Sequence, residues 1–203
     1  LLVGAHYEGP LQSIGADDNA SAVAALLELG RRWSIAPPRR PVWLVGFDLE
    51  EWGLIGSTVL AEQLKADRQR LKLMVSLEML GYTSDQQSYP HPAMERLYGN
   101  RGDFIALVAN ARAGLMLSRL THAMGRHVKS KALPVPRAGI DVPAVRRSDH
   151  SPFWDQGYNA LMVTDTSFMR NPHYHQMSDT IDTLDLPFLA SVIDGLELAL
   201  GQL

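Results

Sequence analysis

The chain has 203 residues, 46% of them hydrophobic, which is enough for one substantial core and predicts a single α/β domain over residues 1–203. The net charge of −3 gives no electrostatic basis for nucleic-acid binding, and no apolar stretch approaches the roughly 18–20 residues of a membrane span. Cysteine is absent, so disulfides and thiolate metal sites are excluded, and any metal must be held by His, Asp and Glu.

Apolar periodicity predicts strands that alternate with helices. Strands are predicted at 1–5, 42–47, 71–77, 104–110 and 160–164, and helices at 20–33, 57–66, 114–126 and 186–200. Residues 83–101, 129–142 and 171–183 are predicted to be irregular, and 142–149 to lead into a loop. This alternation predicts a largely parallel sheet with helices on both faces.

The opening residues 1–5 have the composition of a strand interior, without a charged leader or cleavage site. We therefore expect the full-length protein to have a segment before Leu1, where any signal peptide would lie. The compartment and the oligomeric state stay open.

Metal-competent side chains follow four of the predicted strands. His6 follows the first, Glu50 and Glu51 the second, and Glu78 the third, while His175 lies in the loop after 160–164. Sites in open α/β sheets form at the carboxyl ends of strands, so these residues are expected to converge.

Glu50 and Glu51 follow a run, 42–47, that predicts a buried strand. Two carboxylates there are costly to desolvate unless something holds them. Because neighbouring side chains point in different directions, one carboxylate can bind a metal while the other faces a substrate.

Other candidate metal ligands could instead have a purely structural role. Asp18, Asn19 or Ser21 could cap the helix at 20–33, although of the two adjacent aspartates one can cap while the other points into a site. Only one of His173 and His175 is needed as a ligand.

Three further histidines, His91, His122 and His127, are interpreted as surface residues, and His150 stays open. Two histidines and three carboxylates with one spare Glu have the composition of a dinuclear site. Ligands without thiols suit zinc, manganese or cobalt.

Five motifs occur in an order that resembles one family. They are Gly-Ala-His-Tyr-Glu at 4–8, Gly-Ala-Asp-Asp-Asn-Ala-Ser at 15–21, Glu-Glu at 50–51, Ser-Leu-Glu-Met-Leu-Gly at 76–81 and His-Tyr-His-Gln at 173–176. The chain resembles the M28 zinc aminopeptidases, which are related to bacterial leucyl aminopeptidases, glutamate carboxypeptidase II and glutaminyl cyclases. The resemblance implies a three-layer α/β/α sandwich with a mostly parallel mixed central sheet, and two zinc ions.

The resemblance also implies a role for each ligand. His6 and Glu78 would bind one zinc, Glu51 and His175 the other, and Asp18 would bridge both. Several relatives have Asp at the position of Glu78. Glu is longer than Asp by one methylene group and carries the same charge.

Glu50 would then be the general base that activates water for attack on a peptide bond. Tyr174 resembles the tyrosine that stabilises the oxyanion in some members, and Arg147 competes for that role. Glu8 stands where many members have an Asp that orients the histidine ligand. Asp149 and His150 are expected beside the site, as supports or substrate contacts.

The expected function is removal of N-terminal residues from peptides. A carboxypeptidase would need a basic pocket, for which Arg137, Arg146, Arg147 and Arg170 are candidates. Glutaminyl cyclases of the family use a single zinc, whereas the presence of both His6 and Asp18 favours two. A non-catalytic binding protein is the third alternative.

Overall fold

A six-stranded sheet lies at the centre of the computed structural model, which describes residues 1–203. Its strands are β1 (Leu2–His6), β2 (Trp43–Phe47), β3 (Met74–Glu78), β4 (Ile105–Asn110), β5 (Ser130–Val135) and β6 (Ala160–Thr164). The helices are α1 (Ala22–Ile35), α2 (Ile55–Ala66), α3 (Pro92–Tyr98), α4 (Gly114–Met124), α5 (His150–Asp155) and α6 (Leu186–Gly201). No helix combines the length and the hydrophobicity needed to cross a membrane.

The strand order is β2-β1-β3-β6-β4-β5. Every neighbouring pair is parallel except β4 and β6, which run antiparallel with Ala106 opposite Thr164. The predicted mostly parallel mixed sheet is therefore confirmed.

Alternate residues of each strand pack on opposite faces of the sheet, as the pleat requires. Val3 and Val75 belong to the larger core, which α1, α4 and α6 cover. Their neighbours Leu2 and Met74 belong to a smaller core with residues of α2 and α5. The three-layer α/β/α sandwich is confirmed.

The prediction of a buried strand at 42–47 is wrong in one respect. The strand exists as β2, but it is an edge strand, and Trp43 and Leu44 are 46% and 39% exposed. Apolar composition alone does not distinguish a central strand from an edge strand. Glu50 and Glu51 lie in a turn after β2, half-buried, and not at the end of the strand.

Three elements lie where irregular structure was predicted. The 83–101 excursion contains α3, β5 occupies part of 129–142, and α5 follows Asp149. β5 contains Pro134, which an edge strand tolerates because one side of its backbone has no partner. The helices α3 and α5 have seven and six residues, too short for a clear period.

Candidate metal centre and adjoining cavity

Six polar side chains, all singled out in the sequence, converge at the carboxyl ends of β1 and β3. They form two groups, and within each group the candidate ligand atoms lie within 4.8 Å of one another. The groups are His6 with Glu50 and Glu78, and Asp18 with Glu51 and His175.

The Asp18 carboxylate lies between the two histidines. Its Oδ1 is 3.5 Å from Nε2 of His6, and its Oδ2 is 3.1 Å from Nε2 of His175. Nε2 of His6 is also 3.5 Å from Oε2 of Glu78, and Nε2 of His175 is 3.2 Å from Oε1 of Glu51. Asp18 therefore presents one oxygen to each group.

Sheet register brings the first group together. His6 and Glu78 are the last residues of the parallel neighbours β1 and β3, in which Gly4 lies opposite Ser76. Side chains two residues apart project from the same face, so both reach the face that α2 and α5 cover.

Asp18 reaches the site from an irregular helical turn, Ala16–Ser21, that precedes α1. The Asn19 amide donates to the carbonyl of Leu77 at 3.1 Å and accepts from the backbone N–H of Met79 at 2.9 Å. These bonds fasten the turn to the end of β3. The expectation that a side chain from this turn caps α1 is wrong: Ser21 occupies the N-cap position, but its hydroxyl donates to Asp17 and makes no cap bond.

Carboxylates outnumber imidazoles in this buried cluster. Burial and the neighbouring Glu78 raise the pKa of Glu50 to about 10, while burial and Asp18 raise the pKa of Glu51 to about 7. Burial alone would lower the pKa of His6, but the surrounding carboxylates, Glu78 first, raise it to about 11. Without cations the cluster retains protons, as expected for an excess of buried negative charge.

Buried polar atoms of the cluster lack hydrogen-bond partners. They are Nε2 of His6, both carboxylate oxygens of Asp18 and Nε2 of His175. Buried polar atoms without partners are uncommon, and imidazole nitrogens with carboxylate oxygens are donors that zinc accepts. The residues present therefore fit a pair of cations.

We expect the stability of the chelator-treated protein to fall as pH rises. The pKa of Glu51 is about 7 in the folded chain, above its ordinary 4.5, so its proton stabilises the folded state fully below about pH 4.5. That contribution is lost as pH rises through 7, and the raised pKa of Glu50 extends the same trend toward pH 10. A cation bound at this cluster would displace these protons, so if zinc binds here we expect it to raise Tm more at pH 8 than at pH 5, by about 5 °C.

Circular-dichroism melts at both pH values, with and without zinc, measure this difference. A zinc-dependent rise in Tm that is equal at pH 5 and pH 8 would contradict the proton displacement.

A cavity of about 530 Å³ adjoins the two groups and is lined mainly by apolar residues. Val108 and Met162 of the sheet form part of its floor, and Val145, Phe168 and Tyr174 lie in its walls. This volume is typical of a small-molecule site and exceeds that of a single amino-acid side chain.

Comparison with known proteins identifies the family. The sequence profile of peptidase family M28 matches residues 1–198. YfbL, an uncharacterized protein of Escherichia coli (strain K12), is 36% identical over 96% of this chain and 64% of its own length. This chain belongs to peptidase family M28.

Solved structures share the fold of this M28 family member. The aminopeptidase from Aneurinibacillus sp. strain AM-1 has 26% identity and a TM-score of 0.71, over 99% of this chain and 42% of that one. A glutaminyl cyclase from Bacteroides thetaiotaomicron has 15% identity and a TM-score of 0.71, over 100% of this chain and 72% of its own, a likeness of fold alone. YfbL and the Aneurinibacillus aminopeptidase thus contain sequence that this chain does not.

Glu8 supports the M28 site in a different way from the one expected. Nδ1 of His6 lies 3.0 Å from the main-chain oxygen of Glu8 and 3.9 Å from its carboxylate. An Nδ1–H that donates to the carbonyl leaves Nε2 free for a metal. The Glu8 carboxylate instead accepts from the backbone N–H of Glu51 at 3.1 Å.

Ser148, two residues before α5, contacts the site, and Asp149 is buried next to it. The Ser148 hydroxyl donates to Oε2 of Glu78 at 2.7 Å and lies 2.8 Å from the hydroxyl of Ser76. Asp149 is fully buried, neither of its carboxylate oxygens has a hydrogen-bond partner, and burial raises its pKa to about 7. The Ser148 contact orients Glu78 and was not predicted.

His150 lies outside both ligand groups. Its Nε2 is 2.8 Å from the carbonyl of Val145, and its ring meets Trp154 edge-on with centroids 4.4 Å apart. Burial lowers its pKa to about 3, so the ring is neutral and its N–H donates to that carbonyl. His150 therefore supports the cavity wall at Val145.

Tyr174 and Arg147, the two candidate oxyanion donors, lie together at the cavity wall. Nη2 of Arg147 is 3.4 Å from the hydroxyl of Tyr174, whose ring stacks on His175 with centroids 3.7 Å apart. Burial raises the pKa of Tyr174, so its hydroxyl keeps its proton. Both groups can donate toward the space beside His175.

The other arginines do not assemble into a basic pocket. Arg137 and Arg146 form ion pairs with nearby aspartates. Arg170 is buried and donates to the carbonyls of Tyr82 and Phe104. The basic pocket that a carboxypeptidase would need is therefore not formed by this set.

The remaining histidines lie outside the ligand groups. His91, His122 and His127 are exposed, as predicted. Nδ1 of His173 lies 2.9 Å from the hydroxyl of Ser178. Of the pair His173 and His175, only His175 belongs to a ligand group.

Asp179 holds the Asp18 turn and was not recognised as a site residue in the sequence. Its two carboxylate oxygens accept the backbone N–H groups of Asp17 and Asp18, at 3.0 and 3.1 Å. The Asp17 carboxylate in turn accepts from the N–H of Gly81 and the amide of Asn171. The adjacent pair Asp17 and Asp18 signalled a task beyond capping for this turn, but no local pattern connected Asp179 to it.

Proposed function

We propose that the chain is the catalytic part of a zinc aminopeptidase that removes N-terminal residues from peptides. One observation carries the proposal: Asp18 presents an oxygen to each of two ligand groups beside a cavity large enough for a peptide. Membership of peptidase family M28 supports the reaction class.

Two zinc ions would share Asp18. His6 and Glu78 would complete the ligands of one ion, and Glu51 and His175 those of the other. Zinc bound at such a site supplies a Lewis acid and lowers the pKa of water.

Glu50 would act as the general base. Its carboxylate lies beside His6 and Glu78, faces the cavity and makes no side-chain hydrogen bond. Its pKa is raised by burial and by the charge of Glu78, and cations that offset this charge lower the pKa toward the range of a useful base. Glu50 would take a proton from the attacking water and return it to the leaving amine.

Tyr174 would stabilise the oxyanion. Its protonated hydroxyl is oriented by the guanidinium of Arg147 and lies at the same wall as His175. A neutral donor aimed at developing negative charge strengthens as that charge forms. Arg147 itself is the competing donor.

The arginines near the site favour a substrate with a free amino terminus. Arg137, Arg146 and Arg170 are engaged elsewhere, so these three leave no basic pocket at the metal centre for a terminal carboxylate. This favours removal of residues from the amino end over removal from the carboxyl end.

A panel of matched peptides tests the proposal. With added zinc we expect cleavage of peptides with a free amine, and at least a hundredfold slower cleavage of their N-acetylated forms. Chelator should abolish cleavage and zinc should restore it. Cleavage of N-acetylated peptides from the carboxyl end would contradict the proposal, and zinc binding without hydrolysis would favour a non-catalytic role.

Glutaminyl cyclisation is the second candidate, because a glutaminyl cyclase has the same fold and the fold therefore permits this reaction. A peptide that begins with Gln distinguishes the two reactions, because cyclisation releases ammonia while hydrolysis releases an amino acid. Elemental analysis adds a second criterion: two zinc ions per chain favour the peptidase, and one favours the cyclase.

A further inference from the structure

Lys131 lies at the opposite end of the cavity floor from the metal centre. In the sheet Glu78 pairs with Thr164, Thr164 with Ala106, and Ala106 with Lys131. Paired residues project from the same face, and all four line the cavity. Three strand spacings of about 4.8 Å separate Lys131 from Glu78 by roughly 14 Å at the level of Cα.

The Lys131 ammonium group has no carboxylate partner. It donates to the main-chain oxygen of Tyr98 and lies 3.7 Å from the ring centroid of Phe104, half-buried, with no ion pair. Lys129, two residues earlier, is 55% exposed and forms an ion pair with Asp103 at 2.7 Å. Only Lys131 therefore presents an uncompensated charge to the cavity from this strand.

The surroundings of Lys131 strengthen this positive potential. The guanidinium of Arg170 is 4.6 Å from the ring centroid of Phe104, the same ring that Lys131 contacts, so a second cation lies beside the ammonium group. Between Lys131 and Glu78 the floor carries no charged side chain: Thr164 and Ala106 form the row, and Val108 and Met162 lie in the next row. An anion is attracted more strongly to a cation on such a surface than in open water.

We propose that Lys131 is a specificity-determining residue that receives a carboxylate of the substrate, remote from the bond that is cleaved. The inference rests on the proposed peptidase function and names its substrate class. An extended chain spans about 3.4 Å per residue, so the row of roughly 14 Å suits short peptides of two to four residues. The carboxylate is either the carboxyl terminus of such a peptide or an acidic side chain.

Steady-state kinetics on two peptide series test the inference in the zinc-loaded protein. One series compares free-acid and amidated forms of Leu-Ala, Leu-Ala-Ala and Leu-Ala-Ala-Ala. The other compares amidated Leu-Ala-Glu with amidated Leu-Ala-Gln. We expect at least one carboxylate form to exceed its neutral form about tenfold in kcat/KM, mainly through KM.

Lys131→Met should remove this preference and leave the neutral substrates within about twofold of the wild type. Lys129→Met removes the same charge from a position outside the cavity and should keep the preference. A preference confined to the first series identifies the carboxyl terminus as the partner, and one confined to the second identifies the side chain. The inference is overturned if the wild type has equal kcat/KM for the carboxylate and neutral forms. It is also overturned if Lys131→Met lowers kcat/KM equally for both forms.

A binding measurement separates this inference from the proposed function. In chelator-treated protein, calorimetry should detect tighter binding of 4-phenylbutyrate than of 4-phenylbutyramide, and Lys131→Met should abolish the difference. Equal binding of the two by the wild type overturns the inference. If the protein hydrolyses neither peptide series, the proposed function is refuted, and the calorimetry alone then decides the role of Lys131. If Lys131→Met does not fold, Lys131→Gln replaces it in both experiments.

Discussion

We expect Glu50→Gln to lower kcat/KM about a thousandfold while the protein keeps its full zinc content. General-base catalysis contributes roughly 10²–10⁴-fold, and Gln preserves the shape of Glu while it removes the basic oxygen. Glu50 lies beside His6 and Glu78, so a base there can reach a water held at this end of the site. Elemental analysis and kinetics on a free-amine peptide measure the two properties in the same preparation.

The neighbouring residue supplies the matched control. Glu51→Gln makes the same chemical change one position along the chain, but Glu51 lies 3.2 Å from Nε2 of His175 and is proposed as a ligand. This variant should lose about one zinc ion per chain as well as activity. Full activity of Glu50→Gln would show that Glu50 is not the base. Loss of zinc from Glu50→Gln would show that Glu50 is a metal ligand instead.

The sequence predicted the convergence of these residues better than it predicted their surroundings. The strand patterns placed His6 and Glu78 at the ends of β1 and β3, and parallel pairing brings such ends together. That step needs only local patterns and a general rule for parallel sheets. The separate tasks of Glu50 and Glu51 stay a prediction until the two variants are compared.

Features that depend on pairing could not be predicted in the same way. Trp43 is exposed because β2 pairs on one side only, which its apolar sequence does not encode. Lys131 lies in a segment that was predicted to be a loop. Its position in the cavity floor follows from the pairing of β5 with β4, which the local sequence does not indicate. The Glu8 carboxylate binds the backbone of Glu51, a contact between two loops that no short motif records.

Asp179→Ala should destabilise the protein by about 3 kcal/mol and lower its zinc content. Asp179 is fully buried, and its carboxylate accepts the backbone N–H groups of Asp17 and Asp18. Each hydrogen bond to a charged group contributes about 1.5–3 kcal/mol, and Ala leaves two buried donors without a partner. Since the backbone of Asp18 loses its support, both ligand groups should be disturbed at once. Urea unfolding and elemental analysis measure the two effects.

Two further variants isolate the role of the carboxylate. Asp179→Asn keeps one acceptor oxygen of similar shape, so its loss of stability should be about half that of Asp179→Ala. Asp182→Ala removes an exposed aspartate three residues along and should change stability by less than about 0.5 kcal/mol. If Asp179→Ala were as stable as Asp182→Ala and retained two zinc ions, the turn that presents Asp18 would be fixed by Asn19 and its bonds to β3 rather than by Asp179.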